Sequence, residues 1–378
     1  MTELSPGKAQ RDAERVARRA EQQAAKERAG AERDARKAAD RERREAQRQT
    51  QDDIAARAAE HYVDVREWAL NWRDDYAAAI GEPSDDERHR ARALAHLWEA
   101  PLDTIASLRR ACEPLGGAHV TDYDSREGDL FPRLKREVFY LRKQLGPDLF
   151  VEEPRALGGF GFVEQTLLFN EDTARHFVAL IALQDAALLQ AFREPGSRRV
   201  VWEVGGGWGG FAYQFMRLCP GVTYVISGAP EQLLVSAVYL AAVMPEARCR
   251  LVGGEAMDSG EWDDTDFVFV PGHLVSSLRP PRLDLTLDLM ALRAMAGPRA
   301  AAHLERSFQL GSRFLFAMRP GVATPADDCV ERAIERWYWP HPVPRRRDPR
   351  ELAAVGGDPS QLPPPRFAHL AGWRRIRA

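Results

Sequence analysis

The sequence predicts an α/β protein: a doubly wound, mostly parallel sheet preceded by an N-terminal helical subdomain and a long charged helix. Three observations carry this. Beyond residue 150, short apolar β-like runs alternate with helical runs, the pattern of a parallel sheet with helices on both faces. The run Val200-Val-Trp-Glu-Val-Gly-Gly-Gly-Trp-Gly-Gly-Phe211 takes an apolar strand straight through a glycine turn into a helix. The first 60 residues are Ala, Arg, Glu, Gln, Lys and Asp almost throughout, a composition of high helix propensity.

Length and charge bound the answer. At roughly 150 residues per domain, 378 residues suggest two or three folding units. Lys+Arg number 53 against Asp+Glu 56, a formal charge of -3, which argues against a basic nucleic-acid binder. No apolar run nears the roughly 18 residues that span a bilayer. The N-terminus lacks the apolar core of a secretory signal. Cys112, Cys219, Cys249 and Cys329 form no CxxC pair. They read as packing cysteines of a cytoplasmic protein rather than a disulfide or zinc framework.

Three segments follow in order. In 1–60, Glu14/Arg18, Glu32/Arg36 and Asp40/Arg44 have the favourable i,i+4 order, but no apolar a and d seam exists. This reads as a solvated helix capable of weak self-association through alanine. Alternating charge disfavours a nucleic-acid or membrane arm. In 61–150, Val65, Trp68, Trp72, Tyr76 and Ile80 recur at helical spacing, one buried face of an amphipathic helix. Ser84-Asp-Asp-Glu87 reads as a capping box. Further helices are expected over 103–112 and 132–145, the last ending at Gly146. The domain 151–378 opens on Leu157-Gly-Gly-Phe-Gly-Phe162, which suits either a ligand loop or a plain connector. A helix over 170–192 follows. Strands are expected at 199–204, 223–227, 248–252, 266–270 and 313–318. Helices are expected at 209–218, 231–243, 285–295, 300–310 and 327–337, before a Pro/Arg-rich stretch.

The glycine turn holds the chemistry. Gly205, Gly207 and Gly209 permit a sharp turn and close backbone approach to a ligand, beside a helix N-terminus. Gly205, Gly207 and Gly210 also satisfy GxGxxG, but a dinucleotide site wants an acid about 20 residues on. Val225-Ile-Ser-Gly-Ala supplies none. The alternative is S-adenosylmethionine, whose Rossmann-like methyltransferases use (E/D)xGxGxG. Glu203-Val-Gly205-Gly-Gly207-Trp-Gly209 fits it in full. A carboxylate at the end of an apolar strand needs a partner. The donor's ammonium is one, and the turn's own amides are another.

The run Val201 to Phe215, Tyr224-Val-Ile-Ser-Gly-Ala-Pro-Glu231, Val238-Tyr-Leu240, Trp339-Pro-His-Pro-Val-Pro344 and His369-Leu-Ala-Gly-Trp-Arg-Arg375 resemble the bacterial sugar O-methyltransferases. The resemblance runs from about Pro154 to the C-terminus. It implies S-adenosylmethionine as cofactor and a small-molecule or glycan hydroxyl as acceptor. The family reads Asp-Leu-Pro-Glu after the second strand, its Asp binding ribose. Here Gly228 replaces that Asp and leaves Glu231 to the role. Further on, Asp288, Ala291 and Ala294 stand where the family tends to Asn, Ser and Glu.

Candidate chemistry follows. His273, just past the strand at 266–270, is the candidate general base, or a loop cap. Asp284 and Asp288, four apart on the expected helix, are alternative bases sharing one face, or surface charge. A third metal ligand is not identifiable. Glu255 is the candidate for the adenine end. Trp208 is either a cation–π partner of the sulfonium or a packing residue.

Overall fold

The computed structural model describes residues 6–255, 257–295, 297–320, 328–344 and 367–375. Helix α1 covers Pro6–Ile80. Residues up to Asp53 form one compact unit, and those from Ile54 onward form another. In the first, every residue from 45 to 53 is exposed, as a helix without an apolar seam must be. Gln49 donates to Asp53 Oδ1 at 2.9 Å, one turn on.

The second unit includes the helices of 61–150, which share one apolar core with the sheet. Of the expected stripe Val65 is buried, and Trp68, Trp72, Tyr76 and Ile80 are half-buried. Helix α2 (Asp85–Leu94) opens on the expected capping box: Glu87 N–H donates to Ser84 Oγ at 3.1 Å, and Ser84 N–H to Glu87 Oε2 at 2.8 Å. The helix expected at 103–112 is two short turns, α3 (Leu102–Ile105) and α4 (Leu108–Ala111). Helix α5 (Leu130–Leu145) stops at Gly146, whose φ is 72°. Strands β1 (Phe162–Glu164) and β2 (Leu167–Phe169) form a hairpin. A Cβ on Gly158 would sit 3.0 Å from Ser107 Cα, and one on Gly161 would sit 2.4 Å from the Phe169 carbonyl. The glycines of this stretch therefore admit protein backbone, which supports the connector reading. Helices α6 (Glu171–Asp185) and α7 (Leu188–Arg193) are parted by Ala187 at φ 55°, where one continuous helix was expected.

The doubly wound domain follows as β3 (Arg199–Val204), α8 (Gly210–Leu218), β4 (Val222–Gly228), α9 (Pro230–Val243), β5 (Cys249–Leu251), α10 (Ser259–Asp264), β6 (Phe267–Pro271), β7 (Leu285–Leu289), α11 (Gly297–Gln309), β8 (Phe314–Pro320), α12 (Asp328–Trp337), β9 (Tyr338–His341) and β10 (Phe367–Arg374). The sheet order is β5-β6-β4-β3-β7-β8-β10-β9. All pairs are parallel except those of β10 with β8 and β9. Helices α8 and α9 pack on one face, and α10, α11 and α12 on the other. The chain winds outward from β3 through β4, then returns to β7 on the far side of β3. That reversal is where open α/β sheets bind ligands. The Pro/Arg-rich stretch lies largely outside the described residues.

Two expectations are corrected. Residues 285–289 form a central strand rather than a helix. Leu285 and Leu287 pack on one face, while Thr286 bonds Ser307 and Ser312 on the other. Cys249 is exposed, whereas Cys112 and Cys219 are buried, and all three are free.

One ionic cluster joins these elements. Arg109, in α4, is 1% exposed. Its Nε donates to Glu153 at 3.0 Å and its Nη2 to Asp172 at 2.7 Å. Its guanidinium lies 3.9 Å from the Trp208 ring centroid and 4.7 Å from that of Phe160. Burial opposes the charge on Asp172, but Arg109 and Arg175 outweigh it and hold the carboxyl at about 2. Removing the cation strands two buried carboxylates, so Arg109→Ala should cost about 3–5 kcal/mol in urea denaturation. A loss below about 1 kcal/mol, the range of an exposed pair, would show that the cluster does not anchor the fold.

Candidate active site at the C-terminal ends of the strands

The glycine turn follows β3. Gly205, Gly207 and Gly209 have φ of 66°, 56° and 90°, left-handed values that L side chains adopt at a cost. Gly205 N–H donates to the Ser227 carbonyl at 2.6 Å, fastening the turn to β4. A Cβ on Gly205 would sit 2.4 Å from Ala291 Cβ, so the loop after β7 abuts the turn. Asp288 holds that loop: Oδ1 accepts from Ala291 N–H at 2.7 Å and Leu292 N–H at 3.0 Å.

A cavity of about 340 Å³ opens at this junction, within the ~300–1,000 Å³ range of small-molecule sites. Its floor is Gly205, Gly228, Ala229, Glu231, Gln232, Ala291, Ala294 and Met295. Its roof is the end of α1 (Arg73, Tyr76, Ala77, Ile80), then Pro83, α2 residues including Glu87 and Arg90, and Trp98. The roof is fastened at two points. Ser84 Oγ donates to the Ala294 carbonyl at 2.5 Å. Arg299 of α11 grips Glu87 with both nitrogens, Nη1 at 2.6 Å.

The expected site residues divide. Gly205 and Glu231 line the cavity; Gly207 and Gly209 shape the turn beside it. The Glu231 carboxyl is raised by burial, with Glu87 adding to the effect. Glu203 is 2% exposed and lies beneath the turn. Tyr224 donates its hydroxyl to Glu203 Oε2 at 2.9 Å, and a Cβ on Gly206 would stand 3.0 Å from the same oxygen. Burial raises the carboxyl to about 7, against the Tyr224 bond and with help from Asp288. Trp208 packs inward, against Tyr239 at 5.0 Å and His176 at 5.8 Å between ring centroids. The cation over its ring is Arg109. Glu255 is exposed and outside the lining.

The three catalytic candidates do not converge. His273 lies past β6 in a 3-10 turn, its ring 5.8 Å from Trp72 and 5.9 Å from Tyr76 between centroids. Both ring nitrogens are buried without a hydrogen-bond partner among the described residues. Burial lowers its pKa, against the pull of Asp75. Asp284 precedes β7 at the opposite end of the sheet, where it accepts from Arg282 Nε at 2.7 Å and Val200 N–H at 3.0 Å. The two aspartates do share a strand face, but four residues of strand separate them by about 13 Å. Asp288 is engaged as the loop anchor.

Sequence reasoning missed the roof. Trp68 donates Nε1 to the Val252 carbonyl at 3.0 Å, and a Cβ on Gly272 would meet Tyr76 Cε2 at 3.2 Å. The aromatic stripe of α1 thus lies across the strand ends. The one usable signal was the capping box, which turns α2 back over the sheet.

The chain matches no protein-family model and no curated protein. Among solved structures it is similar to the magnesium protoporphyrin IX methyltransferase of Synechocystis, with 12% identity over 63% of this chain and 97% of that one, at a TM-score of 0.35. A small RNA methyltransferase aligns at 12% identity over 52% of this chain and 25% of its own, at a TM-score of 0.30. Phosphoethanolamine N-methyltransferase 2 of Haemonchus contortus, in complex with S-adenosylmethionine, aligns at 12% identity over 52% and 36%, at a TM-score of 0.25. These likenesses bear no functional weight at such scores; the residues of this chain do.

Glu203 gives a pH test. Its folded value lies above its unfolded value of 4.5, so the folded state binds the proton more tightly. Stability is then full below about pH 4.5, falls as pH rises towards 7, and levels off above. The loss should approach about 3 kcal/mol. Urea midpoints of wild type and Glu203→Gln from pH 4 to 8 should diverge by this slope; parallel curves would refute it.

Proposed function

We propose that this chain binds S-adenosylmethionine in the cavity and transfers its methyl group to a hydroxyl of a sugar or glycosyl acceptor. The observation that carries it is the convergence of Gly205, Gly228 and Glu231 on one cavity at the winding reversal. The make-up of the wall supports the reading. Gly205 and Gly228 present bare backbone, Glu231 presents a carboxyl for ribose hydroxyls, and the volume suits a small molecule. The bound donor would supply an activated methyl, so the protein's main task is proximity and alignment. Glu203 and Asp288 serve as positioning residues, one beneath the glycine turn and one under the loop that abuts it. The sugar acceptor is supported by sequence resemblance alone.

A second reading has its own observation. His273, Asp284 and Asp288 all stand outside the cavity lining, as they would in a protein that binds without turnover. Three free cysteines support a cytoplasmic setting. No helix among the described residues is long and apolar enough to cross a membrane. Self-association through α1 is a further proposal, tested by sedimentation of the full chain.

Titration calorimetry with S-adenosylhomocysteine should show binding to wild type and about tenfold weaker binding to Glu231→Ala, about 1.4 kcal/mol. Failure of folded wild type to bind would end the methyltransferase reading. Binding with no S-adenosylhomocysteine formed from S-adenosylmethionine across a panel of sugars would favour the second.

A further inference from the structure

The charge on the cavity wall is not balanced. Four arginines line it, Arg73, Arg88, Arg90 and Arg92, against Glu87 and Glu231. Several are spoken for. Arg299 grips Glu87, Arg88 pairs with Asp85 at 2.5 Å, and Arg73 lies 3.4 Å from Asp74. The side chains of Arg90 and Arg92 in α2 make no ion pair or hydrogen bond among the described residues. Arg92 is exposed at the rim and Arg90 is half-buried. Burial lowers the pKa of Arg90, Asp86 and Glu87 oppose this from a distance, and Arg175 adds to it, so the cation stands partly desolvated with no ion pair at its guanidinium. Such a group is costly unless something neutralises it.

The methyl donor does not. Its sulfonium and ammonium outnumber its one carboxylate, so it leaves the surplus of arginine unmatched. We infer that the acceptor carries an anionic group, a phosphate or a carboxylate, which Arg90 and Arg92 hold beneath the α2 roof. The guanidinium fork suits both anions, donating two parallel hydrogen bonds to either. Calling this ligand the acceptor rests on the methyl-transfer reading; the anion site itself does not.

The test titrates the full chain with glucose 1-phosphate, glucuronate and glucose, and separately with S-adenosylhomocysteine. Wild type should bind at least one charged sugar and bind glucose far more weakly. The tighter of the two charged probes tells phosphate from carboxylate. Arg90→Ala should weaken that binding by about tenfold or more while S-adenosylhomocysteine affinity stays within about twofold. Arg90→Lys, which keeps the charge and loses the fork, should fall between. Circular dichroism checks that each variant folds. Equal binding of charged and neutral sugars, or none, overturns the inference. So does a parallel loss of S-adenosylhomocysteine binding, which would assign Arg90 to the donor's carboxylate. Anion binding that needs Arg90 in a wild type that ignores S-adenosylhomocysteine would uphold the anion site and remove the methyl-transfer reading.

Discussion

The burial of one guanidinium underlies the site. Arg109 is fully enclosed, and a lone cation there would be intolerable without Glu153 and Asp172 on its edges. Those carboxylates come from the loop before β1 and from the first turn of α6, while the cation comes from α4. The face of the guanidinium lies against Trp208, inside the glycine turn. Four distant stretches of chain thereby meet at one charge. Asp172 also accepts from Gly117 N–H at 2.7 Å, drawing in the loop whose Leu115 carbonyl would lie 3.5 Å from a Cβ on Gly207. The N-terminal helices are consequently part of the domain that carries the turn, which explains why Ile54 onward forms one unit.

Above that floor, two more buried carboxyls shape the turn. Glu203 and Asp288 stand near the ends of neighbouring strands, and Asp288 raises the cost of ionising Glu203. Tyr224 meets one and two backbone amides meet the other, so each has a bond independent of any ligand. A pre-satisfied pair of this kind keeps Gly205 against Ala291 whether or not the cavity is filled. The hydrogen bond of the motif's acid to Tyr224 ties the end of β3 to β4 without any ligand.

The glycine turn and its flanking strands were legible because local chemistry decides them. Apolar β-branched runs, three glycines and a helix start leave few alternatives. Residues 285–289 were legible too, in principle: Leu285, Leu287 and Leu289 alternate with Thr286 and Asp288, the period of a strand. The following Met-Ala-Leu-Arg-Ala-Met has helical composition and pulled the reading across the boundary. Side-chain direction was the deeper obstacle. Position after a strand places His273 near the ligand edge, yet its ring turns to Trp72 and Tyr76 because α1 covers it. That contact spans some two hundred positions of sequence, and nothing local to either partner announces it. Trp208 shows the same blindness: sequence left open whether its ring stacks on the sulfonium or packs, and the Arg109 that lies over it comes from one hundred residues upstream.

The roof also changes what the floor's departures mean. Gly228, Ala291 and Ala294 stand where the resembling family has Asp, Ser and Glu, and all three line the same cavity. Replacing polar groups by small apolar ones at one spot leaves space and removes hydrogen-bonding capacity from the sheet side. The charge on that wall now comes from the other side, through arginines of α1 and α2. A ligand in this cavity meets bare backbone and Glu231 below, and guanidinium above. Ser84 and Glu87 fix that upper wall to the β7 loop and to α11, so it is built rather than incidental. The positive charge of this cavity therefore sits on helices that carry no motif, and not at the strand ends where the motif is read.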